Sequence, residues 1–126
     1  MKRQINSRVK GNGAELKIIK SLKELGFLNV ISSRAGSRIL DNKGVDFTNL
    51  PFALQSKKGY DTKGKWYQNV LEYMKSKCSD IDFDFFAIVH SYSGKQGVKR
   101  KETDDLVIMT NSDFEKLLKL AYGSGK

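Results

Sequence analysis

Cysteine, proline, histidine and tryptophan each occur once in the 126 residues, and long apolar runs are missing. A single cysteine, Cys78, cannot form an internal disulfide, so a reducing, intracellular setting such as the cytoplasm is expected. As a free thiol it reads as a small core hydrophobe. A single histidine, His90, argues against a histidine-built triad or zinc centre. The longest wholly apolar stretch, FFAIV at 85–89, is far too short to span a bilayer. The basic start, MKRQINSRVKGNG, lacks the apolar core of a secretory signal. No internal repeat or low-complexity linker interrupts the chain, and its length predicts one domain over 1–126. Residues 1–10 and 123–126 read as flexible tails.

Acidic residues are scarce in one half only. Residues 1–67 hold 14 lysines and arginines against 5 acids, whereas residues 68–126 hold 9 of each. The whole net charge of +9 therefore sits in the first half. A one-sided excess predicts a polyanionic partner. Nucleic acid fits better than an anionic membrane, because no basic amphipathic helix with bulky aromatics on its apolar face is evident.

Apolar periodicity gives the order αβββαββα, an α/β domain with helices packed against a central mixed five-stranded sheet. The first helix is expected over 12–25, stopped by Gly26. Strands are expected at 27–33, around GVDFT, and at PFALQSKK, where Pro51 is tolerated as the opening residue. SSRAGSRILDNKG, 32–44, reads as a flexible loop. Trp66–Lys77 has apolar residues at 66, 70 and 74, the stripe of a packed helix. FFAIVHSY and DLVIMT read as central strands, and Ser112 with Glu115 as the capping box of a closing helix.

Polar residues interrupt these apolar faces. On a helical wheel Glu15 falls within the arc of Ala14, Leu16, Ile18, Ile19, Leu22 and Leu25. Two readings stand: a solvated first-turn acid favoured by the helix dipole, or a carboxylate aimed at the core side that needs a partner. With period 2, Ala53, Gln55 and Lys57 share one strand face, opposite Phe52 and Leu54. Asp46 points opposite to Val45 and Phe47, and a hairpin around TNLP would set it beside Gln55 and Lys57. An edge strand with its polar side in water is the plainer alternative. An acid, a second oxygen ligand and a lysine are also what phosphodiester hydrolysis needs. Asp46 and Gln55 would offer oxygens to a hard cation, with Glu15 in direct or water-mediated contact. Lys57 would orient water or stabilise the phosphorane oxygens.

This constellation resembles the PD-(D/E)XK nuclease superfamily: Glu15 on a helix, Asp46 in GVDF, then Gln55-Ser56-Lys57. The element order and "RVKGNGAELKIIKSLKELGF" are similar to small archaeal-type Holliday-junction resolvases. Val45 stands where the eponymous proline would be, and Gln55 replaces the acid, removing one negative charge. Restriction nucleases of the Mrr type carry Gln-X-Lys here, and "LQSKKGY" looks like their strand. The resemblance covers roughly residues 8–92. It implies a Mg²⁺-dependent DNA endonuclease, with Mn²⁺ as a substitute, that is structure-selective and homodimeric. Its alternatives are a non-catalytic DNA-binding module of the same fold and a Mrr-like restriction endonuclease.

The resemblance also places Lys10 and the 32–44 loop against DNA, making Arg34, Ser37 and Arg38 phosphate-contact candidates. Lys58, Lys63 and Lys65, interleaved with Tyr60, Trp66 and Tyr67, read as a further phosphate- and base-contacting stretch, although Trp66 is also a natural core residue. GKQGVKRKE, 94–102, reads either as a second DNA grip or as a soluble loop. Asp80, Asp82 and Asp84 lack the glycine and distal glutamate of a calcium loop and read as solvated. Gln68 is a further candidate for contact with the site, as in some exonucleases of the superfamily.

Overall fold

The computed structural model describes residues 7–59, 65–92 and 105–123. Helix α1 runs Ser7–Glu24, so the chain is already helical within the stretch expected to be a tail. It stops at Gly26, which takes φ 113°. There the Gly26 N–H donates to Lys23 O and the Phe27 N–H to Leu22 O, both at 3.0 Å, a paired closure that favours glycine. This closure uses up Phe27, and the strand expected over 27–33 shrinks to β1, Ile31–Ser32.

The expected flexible loop is instead two short helices, α2 (Ser33–Gly36) and α3 (Arg38–Asn42). Serine hydroxyls start both. Ser32 Oγ accepts from the Ala35 N–H at 3.3 Å, and Ser37 Oγ from the Leu40 N–H at 3.2 Å, each satisfying an otherwise orphaned helix donor.

Strand β2, Phe47–Thr48, pairs antiparallel with β1, setting Ile31 opposite Thr48. Strand β3, Ala53–Gly59, pairs in parallel with β4, Phe86–Tyr92, which pairs antiparallel with β5, Leu106–Ile108. The expected five-stranded sheet is therefore two sheets, ordered β1-β2 and β3-β4-β5. The cause lies between β2 and β3, where the predicted hairpin does not form. Asn49 adopts a left-handed φ of 73° and Pro51 has no N–H to give. The strands diverge, and a bond from the Asp46 N–H to Leu54 O, 2.9 Å, spans the fork.

Parallel pairing of β3 with β4 requires a crossover. Helix α4 supplies it over Trp66–Lys77, as the apolar stripe predicts. Leu54 and Ala87 face Ile18 and Leu22 of α1, together with Val30, Phe47 and Phe52. Ala53 and Ile88 face Leu71, Met74 and Cys78 on the other side, together with Val45. Three layers result, with Val45 and Phe47 in opposite cores rather than on one face. Val45 lies before β2, its N–H bonded to Leu40 O at 3.0 Å, so strand alternation does not govern it.

Helix α5 spans Asn111–Tyr122. Its cap is Thr110, whose hydroxyl accepts the Asp113 N–H at 3.2 Å; Ser112 lies inside the helix. Asp113 is buried, accepts the Phe86 N–H at 3.0 Å and pairs with Lys75 at 3.3 Å. Phe114 and Leu117 of α5, with Ile18 and Leu22 of α1, border an apolar cavity of about 570 Å³ over the sheet. Among the described residues no helix is long and apolar enough to cross a membrane.

Candidate active site

The fork between β2 and β3 is where the expected site residues meet. Asp46 is fixed there from three directions. Its N–H is bonded to Leu54, its C=O accepts the Ser33 N–H at 2.8 Å, and its Oδ2 accepts the Ser56 N–H at 2.7 Å. The carboxylate thus takes an edge amide of β3 that a continued β2 would otherwise have paired. Burial pushes the Asp46 carboxyl up from 3.8 to about 6, against the pull of the Ser56 N–H. The negative charge of Glu15 pushes it further, while Lys57 pulls it down and Asp41 adds a smaller push. Glu15 and Lys57 therefore act on Asp46 electrostatically from two different elements.

Gln55 donates its Nε2–H to Gly44 O at 2.6 Å. A carbonyl accepts only, so this bond identifies the amide's other end as Oε1. Gly44 itself has φ 83°, and a Cβ there would stand 3.1 Å from Gln55 Nε2 and 3.3 Å from Tyr73 Cδ2. A glycine is needed on both counts. Lys57, exposed, lies opposite the buried His90 of β4. Ala53, Gln55 and Lys57 share a face as expected. Ala53 packs in the α4-side core, so this is not the face that α1 covers.

Glu15 arrives from the α1 side. It is buried, as the second wheel reading required, and its partner is Arg34 of α2. Arg34 Nη2 donates to both Glu15 carboxylate oxygens at 3.0 Å. Ser33, fully buried, anchors this arginine's helix through its N–H to Asp46 and its Oγ to Thr48 Oγ1 at 3.0 Å. Sequence reasoning assigned Arg34 to phosphate and missed the pair. The signal present was the pairing of an unexplained core-side acid with a nearby loop of arginines.

The remaining candidates are dispersed. Ser37 spends its hydroxyl as the α3 cap. Arg38, Lys58, Lys65 and Gln68 are exposed, and Lys10 lies early in α1. Trp66 and Tyr67 are half-buried against the α4-side core, with ring centroids 5.5 and 6.1 Å from His90. Asp80, Asp82 and Asp84 are exposed, Asp80 pairing with Lys43 at 3.1 Å. Tyr60, Lys63 and the 94–102 segment lie outside the described residues.

Among the described residues no group of three or more His, Cys, Asp or Glu is gathered for a metal. The fork offers a smaller donor set, the Asp46 carboxylate and the Gln55 amide, with the Glu15 carboxylate held by Arg34. Asp46 Oδ1 and Gln55 Oε1 are the ends not used in the bonds above, and both are the hard oxygens that Mg²⁺ takes. Asp46, deprived of solvent and set near a second acid, is also a group whose ionised form a cation would favour. In chemical type these two oxygens suit such an ion. Comparisons with protein-family models, with curated proteins and with solved structures each return no match.

Proposed function

We propose that the chain is a Mg²⁺-dependent DNA endonuclease, structure-selective in the manner of a Holliday-junction resolvase, with Mn²⁺ able to substitute. The observation that carries this reading is the fork. It sets a desolvated Asp46 under the charges of Glu15 and Lys57, with Gln55 held nearby through Gly44. Asp46 and Gln55 would hold the ion, which when bound acidifies the attacking water and offsets charge on the phosphate. Asp46 keeps its oxygen aimed by the Ser56 amide. Lys57, exposed on β3, would meet the negative charge that builds on the phosphate oxygens as water adds and the ester oxygen leaves. The basic first half supplies attraction to the DNA backbone. Cutting both strands takes two such sites, so the reading includes a homodimer.

The test presents labelled four-way junction and matched linear duplex to the purified protein, with Mg²⁺ or with chelator. Metal-dependent cutting of the junction alone is the expected result. Cutting of both substrates would move the reading to a Mrr-like or general endonuclease. Lys57→Ala should lower cleavage by about 10²- to 10³-fold while junction binding holds; retained cleavage would remove Lys57 from the chemistry.

One observation favours a second reading, a DNA-binding module of the same fold without chemistry. Glu15 is occupied by Arg34 and residue 55 brings no charge, which among the described residues leaves Asp46 as the fork's one acid outside an ion pair. Binding with no cutting in either Mg²⁺ or Mn²⁺ would establish it.

A further inference from the structure

We propose that Arg34 is an exchangeable clamp: it holds Glu15 in the free protein and transfers to a backbone phosphate when DNA binds, releasing the Glu15 carboxylate toward the fork. The inference deepens the nuclease reading and rests on it.

Three features of the pair point this way. First, burial is lopsided. The Glu15 side chain is 12% exposed, whereas that of Arg34 is 43% exposed. An incoming anion therefore reaches the base without entering the core. Second, both carboxylate oxygens share the single nitrogen Nη2. The strongest arginine–carboxylate pairs use two nitrogens as a fork, and a phosphate can take that fork. Third, the backbone under Arg34 is fixed, through Ser33, to Asp46 and Thr48. The exchange is then a side-chain movement that leaves Asp46 in place. Arg34 also borders an open groove of about 740 Å³ whose other cation is Lys23, which favours the approach of a polyanion.

The exchange has a consequence that needs neither metal nor cleavage. In the free protein a phosphate must compete with Glu15 for Arg34. Neutralising Glu15 removes the competitor, so it should tighten DNA binding, and only through Arg34.

The experiment measures binding of a labelled four-way junction by fluorescence anisotropy, in chelator and at fixed salt, for wild type, Glu15→Gln, Arg34→Ala and the double variant. Glu15→Gln is expected to tighten binding by about tenfold or more, the scale of released charge-assisted hydrogen bonds. In the Arg34→Ala background that gain should fall below about twofold. An equal gain in both backgrounds would mean general charge repulsion, and no gain would mean no competition; either overturns the clamp. Should Arg34→Ala fail to fold around the buried carboxylate, Arg34→Gln takes its place in the cycle. If wild-type protein binds no DNA at all, the nuclease reading falls and the clamp with it, an outcome distinct from the other two.

Discussion

Asp46 is held where a carboxylate is both useful and uncomfortable. Its folded pKa of about 6 lies above the ordinary 3.8, so the fold binds its proton more tightly than the unfolded chain does. The stability this brings is present at low pH and is lost as pH rises through 6. Above that, the ionised group is a cost to the fold. Asp46→Asn keeps an acceptor for the Ser56 N–H and removes the charge. It should therefore abolish cleavage yet raise unfolding free energy by about 2 kcal/mol at pH 8. In urea titrations across pH the gain should shrink below pH 6 and vanish near pH 4. A variant equally or less stable at pH 8 would mean the burial penalty is small. The polar residues gathered at the fork were legible in the sequence because polar groups on apolar faces stand out. Their partners were not, since the Arg34–Glu15 pair joins residues nineteen positions apart through a turn of chain that no periodicity describes.

At the scale of elements, α4 and β3 follow from their apolar patterns because tertiary packing agrees with the local period. The 26–49 region does not. There Gly26 closes a helix, serines cap two more, and Asn49 turns the chain, and each of these local choices outweighs β propensity. The closing helix shows the same competition. Thr110 precedes Ser112 and captures the cap position, which brings Asp113 inward onto the start of β4. Asp113→Ala would leave the Phe86 N–H and the Lys75 ammonium without their buried acceptor. It should cost about 2–4 kcal/mol in chemical denaturation. Asp113→Asn, which keeps the amide acceptor, should cost less. Equal losses would show that charge rather than hydrogen bonding docks α5.

For the whole molecule, charge asymmetry and fold class were readable, but the division into two sheets was not, because strand count says nothing of which strands join. The exposed lysines at 58 and 65 make a further expectation. Lys58→Ala with Lys65→Ala should weaken binding to junction and duplex alike and flatten the plot of log K against log salt by about 0.9 for each phosphate no longer neutralised. An unchanged slope would place the DNA elsewhere on the surface. The parallel pairing of β3 with β4 also sets an order of events during synthesis. Gln55 and Lys57 lie on a strand whose partner, Phe86–Tyr92, is made some thirty residues later, and Asp46 is anchored to that same strand. A nascent chain that ends between Lys57 and Phe86 thus carries every acid and lysine of the fork but lacks the strand that pairs with β3, and the site is assembled only after Tyr92 has followed.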